Sequence, residues 1–152
     1  MTSVALICTA NRCRSIMAHA IFLAEVEKRS LAVEVYSAGV LDFSREPPLI
    51  ETTSTCLKYG TPSPKDSPTW IRQLPLAAIV RFLVMEEEHA ASLTNNYGIS
   101  PDRVSMLGAY DPLQRGLEIP DPFSYDSQVY DRSYELMRDC IVAYLDGTDE
   151  LD

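Results

Sequence analysis

The sequence has 152 residues, the length of one domain, so a second core of comparable size is not expected. Hydrophobic residues make up 46% and charged residues 23%, which excludes disorder over the whole length because apolar material is ample. The formal net charge of −9 argues against a nucleic-acid or anionic-membrane partner, since such partners select basic surfaces.

Short strand-like segments alternate with helical ones along the chain. In order, we predict a strand at residues 4–8, a helix from Ser15, a strand at 33–36, a helix at 50–59, a short helix at 69–74, a strand at 77–85, a helix from the acidic run 86–88, a strand at 103–107 and a helix at 127–145. Residues 108–125 are predicted to be irregular, and the acidic tail 146–152 is predicted to fray. This alternation predicts a single α/β domain over 1–152, with a parallel sheet of about four strands and helices on both faces.

The loop after the first predicted strand carries the most informative motif. Cys8 ends a continuous apolar run, Arg14 follows six positions later, and Ser15 opens a helix. Five intervening residues can wrap so that backbone N–H groups converge on one anion above a helix N-terminus. The same donors would stabilise a thiolate, and a guanidinium fork matches two phosphate oxygens. The predicted phosphate-binding loop is therefore Cys8, Thr9, Ala10, Asn11, Arg12, Cys13, Arg14 and Ser15; the alternative is a buried strand cysteine followed by surface arginines.

Several motifs, in the same order over nearly the whole chain, resemble the low molecular weight protein tyrosine phosphatase family. They lie at residues 7–15, 17–20, 37–39, 72–73, 107–112 and 121–123. The resemblance implies a flavodoxin-like, four-stranded parallel sheet. It also implies two-step hydrolysis of protein phosphotyrosine without a metal or other cofactor.

The resemblance assigns three catalytic roles. Cys8 would be the nucleophile that forms a cysteinyl phosphate, and Arg14 would hold the phosphoryl oxygens. Asp121 would protonate the phenolate leaving group and then act as the base on water. Asp111 also precedes a proline, but we interpret it as a turn former, because an aromatic residue follows the Asp121-Pro122 pair.

Supporting roles follow from the same resemblance. Ser15 would donate its hydroxyl to the Cys8 thiolate. Asn11 would hold the loop through a hydrogen bond to Ser37, and asparagine tolerates the left-handed conformation that such a turn can need.

The expected cleft wall consists of Phe43, Phe123 and Arg12. The two aromatic residues could stack on a phenyl ring. Arg12 departs from the family, which usually has an apolar residue there, or threonine in relatives that hydrolyse phosphoarginine. A cation there should attract acidic flanking sequence and disfavour phosphoarginine. Further departures, which leave the rate and specificity open, are Ala10 for the common glycine, Ile16 for proline and His19 for glutamate.

The other cysteines allow less specific interpretations. Cys13 could form a protective disulfide with Cys8, as the family suggests, or could be a small buried residue, and both remain open. Cys56 and Cys140 fall on apolar helix stripes and are predicted to pack in the core. No Cys/His cluster has zinc spacing, and the run 86–88 is interpreted as a solvated helix start.

Two alternative functions remain: an arsenate reductase-like enzyme, and a phosphate- or phosphopeptide-binding module with impaired turnover. The expected partners are a phosphotyrosine-containing protein and inorganic phosphate or a similar oxyanion, with no nucleic acid and no membrane. The family occurs as monomers and weak homodimers. Because no secretory signal is visible and the thiols are scattered, a reducing cytoplasm is expected.

Overall fold

The computed structural model describes residues 1–151 and contains a four-stranded, wholly parallel sheet. The strands are β1 (Thr2–Cys8), β2 (Val33–Gly39), β3 (Ile79–Val84) and β4 (Val104–Met106). They lie in the order β2-β1-β3-β4. Cys8 pairs with Gly39, and Ile7 pairs with Val84, so the carboxyl ends of the three neighbouring strands share one edge.

Helices cover both faces of the sheet, so the predicted fold class is confirmed. The helices are α1 (Arg14–Lys28), α2 (Ile50–Lys58), α3 (Glu87–Tyr97) and α4 (Ser127–Gly147). Helices α1, α2 and α4 pack on one face around one core cluster, and α3 packs on the other face around a second cluster. Short 3-10 helices cover Ile71–Gln73, Leu76–Ala78, Pro101–Arg103 and Leu107–Tyr110. Within residues 1–151, no helix has both the length and the apolar character needed to cross a membrane.

The apolar run of β1 explains why this strand lies at the centre. Val4 and Leu6 point into the core under α1 and α4, whereas Ala5 and Ile7 point into the core on the α3 side. All four side chains are fully buried, so a strand covered on both faces shows no alternation of polar and apolar residues. Cys8, at the end of this strand, is therefore carried by one of the best-packed segments of the chain.

Two predicted elements are shorter in the structure. The helix predicted at 69–74 is only the 3-10 turn Ile71–Gln73, because its C-cap residue, Leu74, directly precedes Pro75. The strand predicted from residue 77 begins at Ile79, because Leu76–Ala78 forms another 3-10 turn.

Up to Leu151, the C-terminal segment packs against the rest of the domain, in contrast to the frayed tail predicted at 146–152. Helix α4 continues to Gly147, and Leu151 is buried. Glu150 accepts hydrogen bonds from Arg81 on β3 and from the Tyr144 hydroxyl, at 3.2 and 2.9 Å. The negative charge of Glu150 thus holds the C-terminal segment against the sheet. Asp152 lies outside the described residues.

Candidate active site

The loop between β1 and α1 closes around the Cys8 sulfur. The Asn11 backbone N–H donates to Cys8 Sγ at 3.3 Å, and Ser15 Oγ lies 2.9 Å from the same sulfur. Helix α1 begins at Arg14, so its first backbone N–H groups and its dipole lie beside the loop. A thiolate or a docked oxyanion at this place would face donors on several sides.

Asn11 fixes the shape of the loop from beneath. It is fully buried and adopts a left-handed backbone conformation, with φ at 56°. Its Nδ2 donates to Ser15 Oγ at 2.7 Å and to Ser37 Oγ at 3.1 Å. Because the Ser15 oxygen accepts this proton, its own hydroxyl proton is free to point at the Cys8 sulfur.

The end of β2 presses against the outside of the loop. A Cβ at Gly39 would lie 2.6 Å from the Ala10 carbonyl carbon, closer than real Cβ contacts. The backbone N–H groups of Val40 and Leu41 donate to the carbonyls of Cys8 and Thr9, both at 3.0 Å. Gly39 is therefore required for close approach of two backbones, and the loop cannot expand outward on this side.

Arg14 is held by groups from two distant segments. Its side chain is 3% exposed, and Nη1 donates to the Ile119 carbonyl at 2.8 Å and to Glu86 Oε2 at 2.5 Å. Its Nη2 lies 3.7 Å from Asp121 Oδ2. The interpretation of Glu86 as a solvated helix start is wrong, since its carboxylate orients the Arg14 guanidinium. The sequence held one indication of this role: Glu86 follows a predicted strand whose carboxyl end lies at the same edge of the sheet as Cys8.

His89 supports the loop from α3. Its Nδ1 accepts from the Glu86 backbone N–H at 3.1 Å, so Nε2 carries the proton and donates to Thr9 Oγ1 at 2.9 Å. Burial, together with the nearby Arg14 charge, lowers the pKa of His89 to about 4. The imidazole is therefore neutral near pH 7 and acts as an oriented hydrogen-bonding group that the sequence analysis missed.

His19 forms a second neutral support. Its Nδ1 lies 2.7 Å from Ser37 Oγ, and burial lowers its pKa to about 4. Because Ser37 accepts from Asn11, its hydroxyl donates to the unprotonated His19 Nδ1. His19, which replaces the usual glutamate of the family, thus takes part in the hydrogen-bond chain beneath the loop.

Asp121 reaches the site on an otherwise exposed segment. Its side chain is 48% exposed, and Oδ1 accepts from the Phe123 backbone N–H at 3.0 Å. Two residues earlier, the buried Ile119 donates its backbone N–H to the Met85 carbonyl at 2.8 Å, which continues the edge of β3. The second carboxylate oxygen of Asp121 is thereby left facing Arg14.

Asp111 lies elsewhere, and its interpretation as a turn former is confirmed. Its buried carboxylate accepts from the Leu113 and Arg115 backbone N–H groups at 2.9 and 2.8 Å. The Arg115 side chain holds the pKa of Asp111 well below its usual range.

A cleft of about 240 Å³ opens above the loop. Phe43 and Leu49 form part of its wall, and Phe123, which is 54% exposed, lies at its mouth. Arg12 also lines the cleft, with its Nε donating to the Pro47 carbonyl at 2.8 Å. Cys8, Arg14 and Asp121 line the same cleft, so the structure brings the three expected catalytic side chains and the expected wall together.

The remaining cysteines differ from Cys8 in their surroundings. Cys13 is buried, and burial raises its pKa to about 12, so it remains a protonated thiol at neutral pH. Cys56 and Cys140 are fully buried in the core, as predicted for packing residues. All four thiols are free, and a redox pairing of Cys8 with Cys13 stays a prediction.

A family model described as low molecular weight phosphotyrosine protein phosphatase matches residues 3–150. The chain belongs to that family, and it is a hydrolase of the low molecular weight phosphatase type that acts on phosphorylated proteins.

Individual relatives differ in the residue they dephosphorylate. The chain is 28% identical to low molecular weight protein-tyrosine phosphatase A of Mycobacterium tuberculosis, over 97% of this chain and 91% of that protein. It is 30% identical to a protein-arginine-phosphatase of Bacillus subtilis, over 87% of this chain and 89% of that protein. The crystal structure of a low molecular weight protein tyrosine phosphatase from T. tengcongensis superposes with a TM-score of 0.88 at 26% identity, covering 97% of this chain and 100% of that one.

Proposed function

We propose that the protein hydrolyses phosphotyrosine in proteins through a cysteinyl-phosphate intermediate. The observation that carries the proposal is one cleft lined by Cys8, Arg14 and Asp121 beneath an aromatic wall. Inorganic phosphate and similar oxyanions would bind the same loop, because its donors match any tetrahedral dianion.

In the first step, the Cys8 thiolate attacks phosphorus, and a phosphorus–sulfur bond forms as the bond to the phenolic oxygen breaks. Protonated Asp121 donates to the departing oxygen, which leaves as tyrosine. Arg14 and the backbone N–H groups of the loop stabilise the charge on the three equatorial oxygens.

In the second step, the Asp121 carboxylate takes a proton from water, whose oxygen attacks phosphorus. The phosphorus–sulfur bond breaks, and its electrons return to Cys8 as thiolate while phosphate leaves. Ser15 donates a hydrogen bond to that thiolate, 2.9 Å away, in both its attacking and its leaving role.

Arg12 supports tyrosine rather than arginine as the preferred residue. Its guanidinium lines the cleft and is tied back to Pro47, so it stays beside an incoming substrate. A phosphoarginine side chain carries a guanidinium of its own, and two such groups in one cleft repel each other. A phenyl ring carries no charge and can lie against Phe43 and Phe123.

The nucleophile is tested by hydrolysis of para-nitrophenyl phosphate near pH 5.5. We expect Cys8→Ser to lower the rate about 10⁴-fold or more, because removal of a nucleophile removes the two-step route. The variant should still bind vanadate-type oxyanions, since the loop donors remain, and Cys140→Ser should retain activity. Hydrolysis that survives Cys8→Ser would refute the assignment. A wild-type protein that binds phosphate without turnover would favour the binding module.

The substrate is tested by comparing kcat/KM for matched phosphotyrosine and phosphoarginine peptides. We expect the wild type to prefer phosphotyrosine and Arg12→Thr to narrow that preference by raising phosphoarginine hydrolysis. A wild-type preference for phosphoarginine would overturn this part of the proposal while leaving the Cys8 mechanism intact.

The arsenate reductase alternative has less support, because such chemistry needs further cysteines to resolve an adduct. Cys56 and Cys140 are fully buried in the core and do not line the cleft. A cytoplasmic location, and a monomer or weak homodimer, are proposed on the resemblance and on the need for a reduced Cys8.

A further inference from the structure

A half-buried lysine lies beneath the phosphate-binding loop, outside the substrate cleft. Lys65 Nζ lies 2.8 Å from Asn11 Oδ1, 3.0 Å from the Ser37 carbonyl oxygen and 2.8 Å from Thr69 Oγ1. An ammonium group has three N–H bonds, and each has an oxygen acceptor here. Among residues 1–151, no carboxylate forms an ion pair with Lys65. The positive charge of Lys65 is therefore not neutralised by an adjacent carboxylate.

Lys65 determines which way the Asn11 amide faces. The amide oxygen accepts from Lys65 Nζ and from the Thr69 backbone N–H, both at 2.8 Å. Both partners can only donate, so the oxygen must point toward them and Nδ2 must point toward Ser15 and Ser37. With the amide reversed, two donors would face each other in a buried site, which is strongly unfavourable.

The orientation is passed on to the sulfur by a chain of directed hydrogen bonds. Nδ2 donates to Ser15 Oγ at 2.7 Å, and Ser15 in turn lies 2.9 Å from Cys8 Sγ. The Asn11 backbone N–H donates to the same sulfur at 3.3 Å. Lys65 therefore acts on Cys8 through both the side chain and the backbone of one residue.

The charges around Lys65 are few. Burial lowers the pKa of Lys65 to about 8, and the negative charge of Cys8 opposes that lowering. His19 is the other titratable group coupled to Lys65, and it is neutral near pH 7. Asp66, the adjacent acidic residue, is exposed. The Cys8 thiolate is therefore the main negative charge coupled to this ammonium.

We propose that Lys65 is a positioning residue for catalysis, which orients Asn11 and stabilises the Cys8 thiolate from beneath the loop by its positive charge. It touches neither the substrate nor the reacting atoms. The proposal rests on the proposed role of Cys8 as the nucleophile.

The first measurement is the rate of Cys8 alkylation by iodoacetamide as a function of pH, which requires no turnover. Lys65→Met removes the charge and the three donors while keeping an unbranched apolar side chain. We expect its alkylation profile to move to higher pH by about one unit, because a compensating charge is lost. Lys65→Arg, which keeps a charge and several donors, should restore most of the wild-type profile.

The second measurement is hydrolysis of para-nitrophenyl phosphate. We expect Lys65→Met to lower kcat/KM about 10- to 100-fold, the effect of losing a charged hydrogen bond, with Lys65→Arg intermediate. Lys58→Met is the matched control, because Lys58 is an exposed lysine paired with Asp131 on the surface. It should leave both readouts unchanged.

The outcomes separate a positioning role from a structural one. An unchanged alkylation profile in a folded Lys65→Met variant would overturn the proposal, even if activity fell. If Lys65→Met unfolds, Lys65→Gln, which keeps one donor group without the charge, supplies the comparison. If the wild type hydrolyses no phosphate ester, the proposed function fails, but the alkylation profiles still decide the role of Lys65.

Discussion

The two halves of the site are built in opposite ways. Most of the predicted phosphate-binding loop is buried, and its Asn11 and Thr9 side chains are fixed by hydrogen bonds to Ser37, Lys65 and His89. The segment that carries Asp121 is exposed over residues 112–126, apart from Ile119 and Pro122. The backbone of Ile119 joins it to Met85 and Arg14, and Asp121 Oδ2 adds a 3.7 Å contact with Arg14 Nη2.

The difference reflects what each half has to do. A nucleophile and a dianion need donors that are already oriented, because reorganisation during the reaction would raise the barrier. A general acid that later activates water must meet both the leaving group and the solvent. We therefore expect changes in the buried half to alter stability and activity together, and changes in the exposed half to alter activity alone.

Among the tests of this comparison, the largest effect is expected in the exposed half. Asp121→Ala should lower kcat for phenyl phosphate about 10²- to 10⁴-fold, the usual contribution of one proton transfer. It should slow para-nitrophenyl phosphate much less, because that leaving group needs little protonation. Asp121→Asn keeps the acceptor for the Phe123 N–H and should give the same pattern. Equal slowing of both esters would show that Asp121 is not the general acid. A change in the free energy of unfolding beyond about 0.5 kcal/mol would show that the exposed half also contributes to stability.

An intermediate effect tests the buried half. Gly39→Ala places a methyl group 2.6 Å from the Ala10 backbone, so the loop or β2 must shift. We expect the free energy of unfolding to fall by about 1–3 kcal/mol and phosphate affinity to fall with it. Gly147→Ala, at a position with open space around it, is the control and should not destabilise the protein. Calorimetry with and without phosphate measures both effects. If Gly39→Ala loses neither stability nor phosphate affinity, the loop is less tightly confined than the structure indicates.

The smallest effect is the pH dependence of stability. His19 and His89 have pKa values lowered by burial from 6.5 to about 4, so the unfolded chain binds their protons more readily. Their contribution to stability is complete above about pH 6.5 and is lost as pH falls through about 4. Between pH 7 and 4.5, protonation of each histidine should lower the free energy of unfolding by on the order of 2 kcal/mol. Urea unfolding at pH 7, 5.5 and 4.5 should show that the free energy of unfolding depends less on pH in His19→Gln and His89→Gln than in the wild type. The same pH dependence in both variants and the wild type would mean that other groups cause the loss of stability at low pH.

The sequence was most informative where structure depends on neighbouring residues. The apolar run of β1, the Cys8-to-Arg14 spacing and the start of α1 are local, and each predicted the correct element and edge of the sheet. Glu86 was misinterpreted because a run of glutamates is locally a good helix start, whereas its ion pair with Arg14 spans 72 positions.

Lys65 and the C-terminal segment show the same limit. Lys65 lies in a proline-rich stretch without periodicity, and its acceptors on β2 and the phosphate-binding loop are defined only once the chain has folded. Glu150 resembles part of a solvated acidic tail until β3 brings Arg81 beside it, 69 positions away. Contacts of this range depend on topology, which the local pattern specifies only in outline.

Ile119 limits how far Asp121, the proposed general acid, can move. Its N–H is bound to Met85 and its carbonyl to Arg14, so the chain is pinned two residues before Asp121. Two extended residues span at most about 7 Å, so the Asp121 Cα stays within that distance of the Ile119 Cα, and the carboxyl can reach beyond it only by the length of a short side chain. An exposed side chain on a long irregular segment thus has a short reach. Changes in chain length before Ile119 can therefore reshape the surface while Asp121 stays near Arg14.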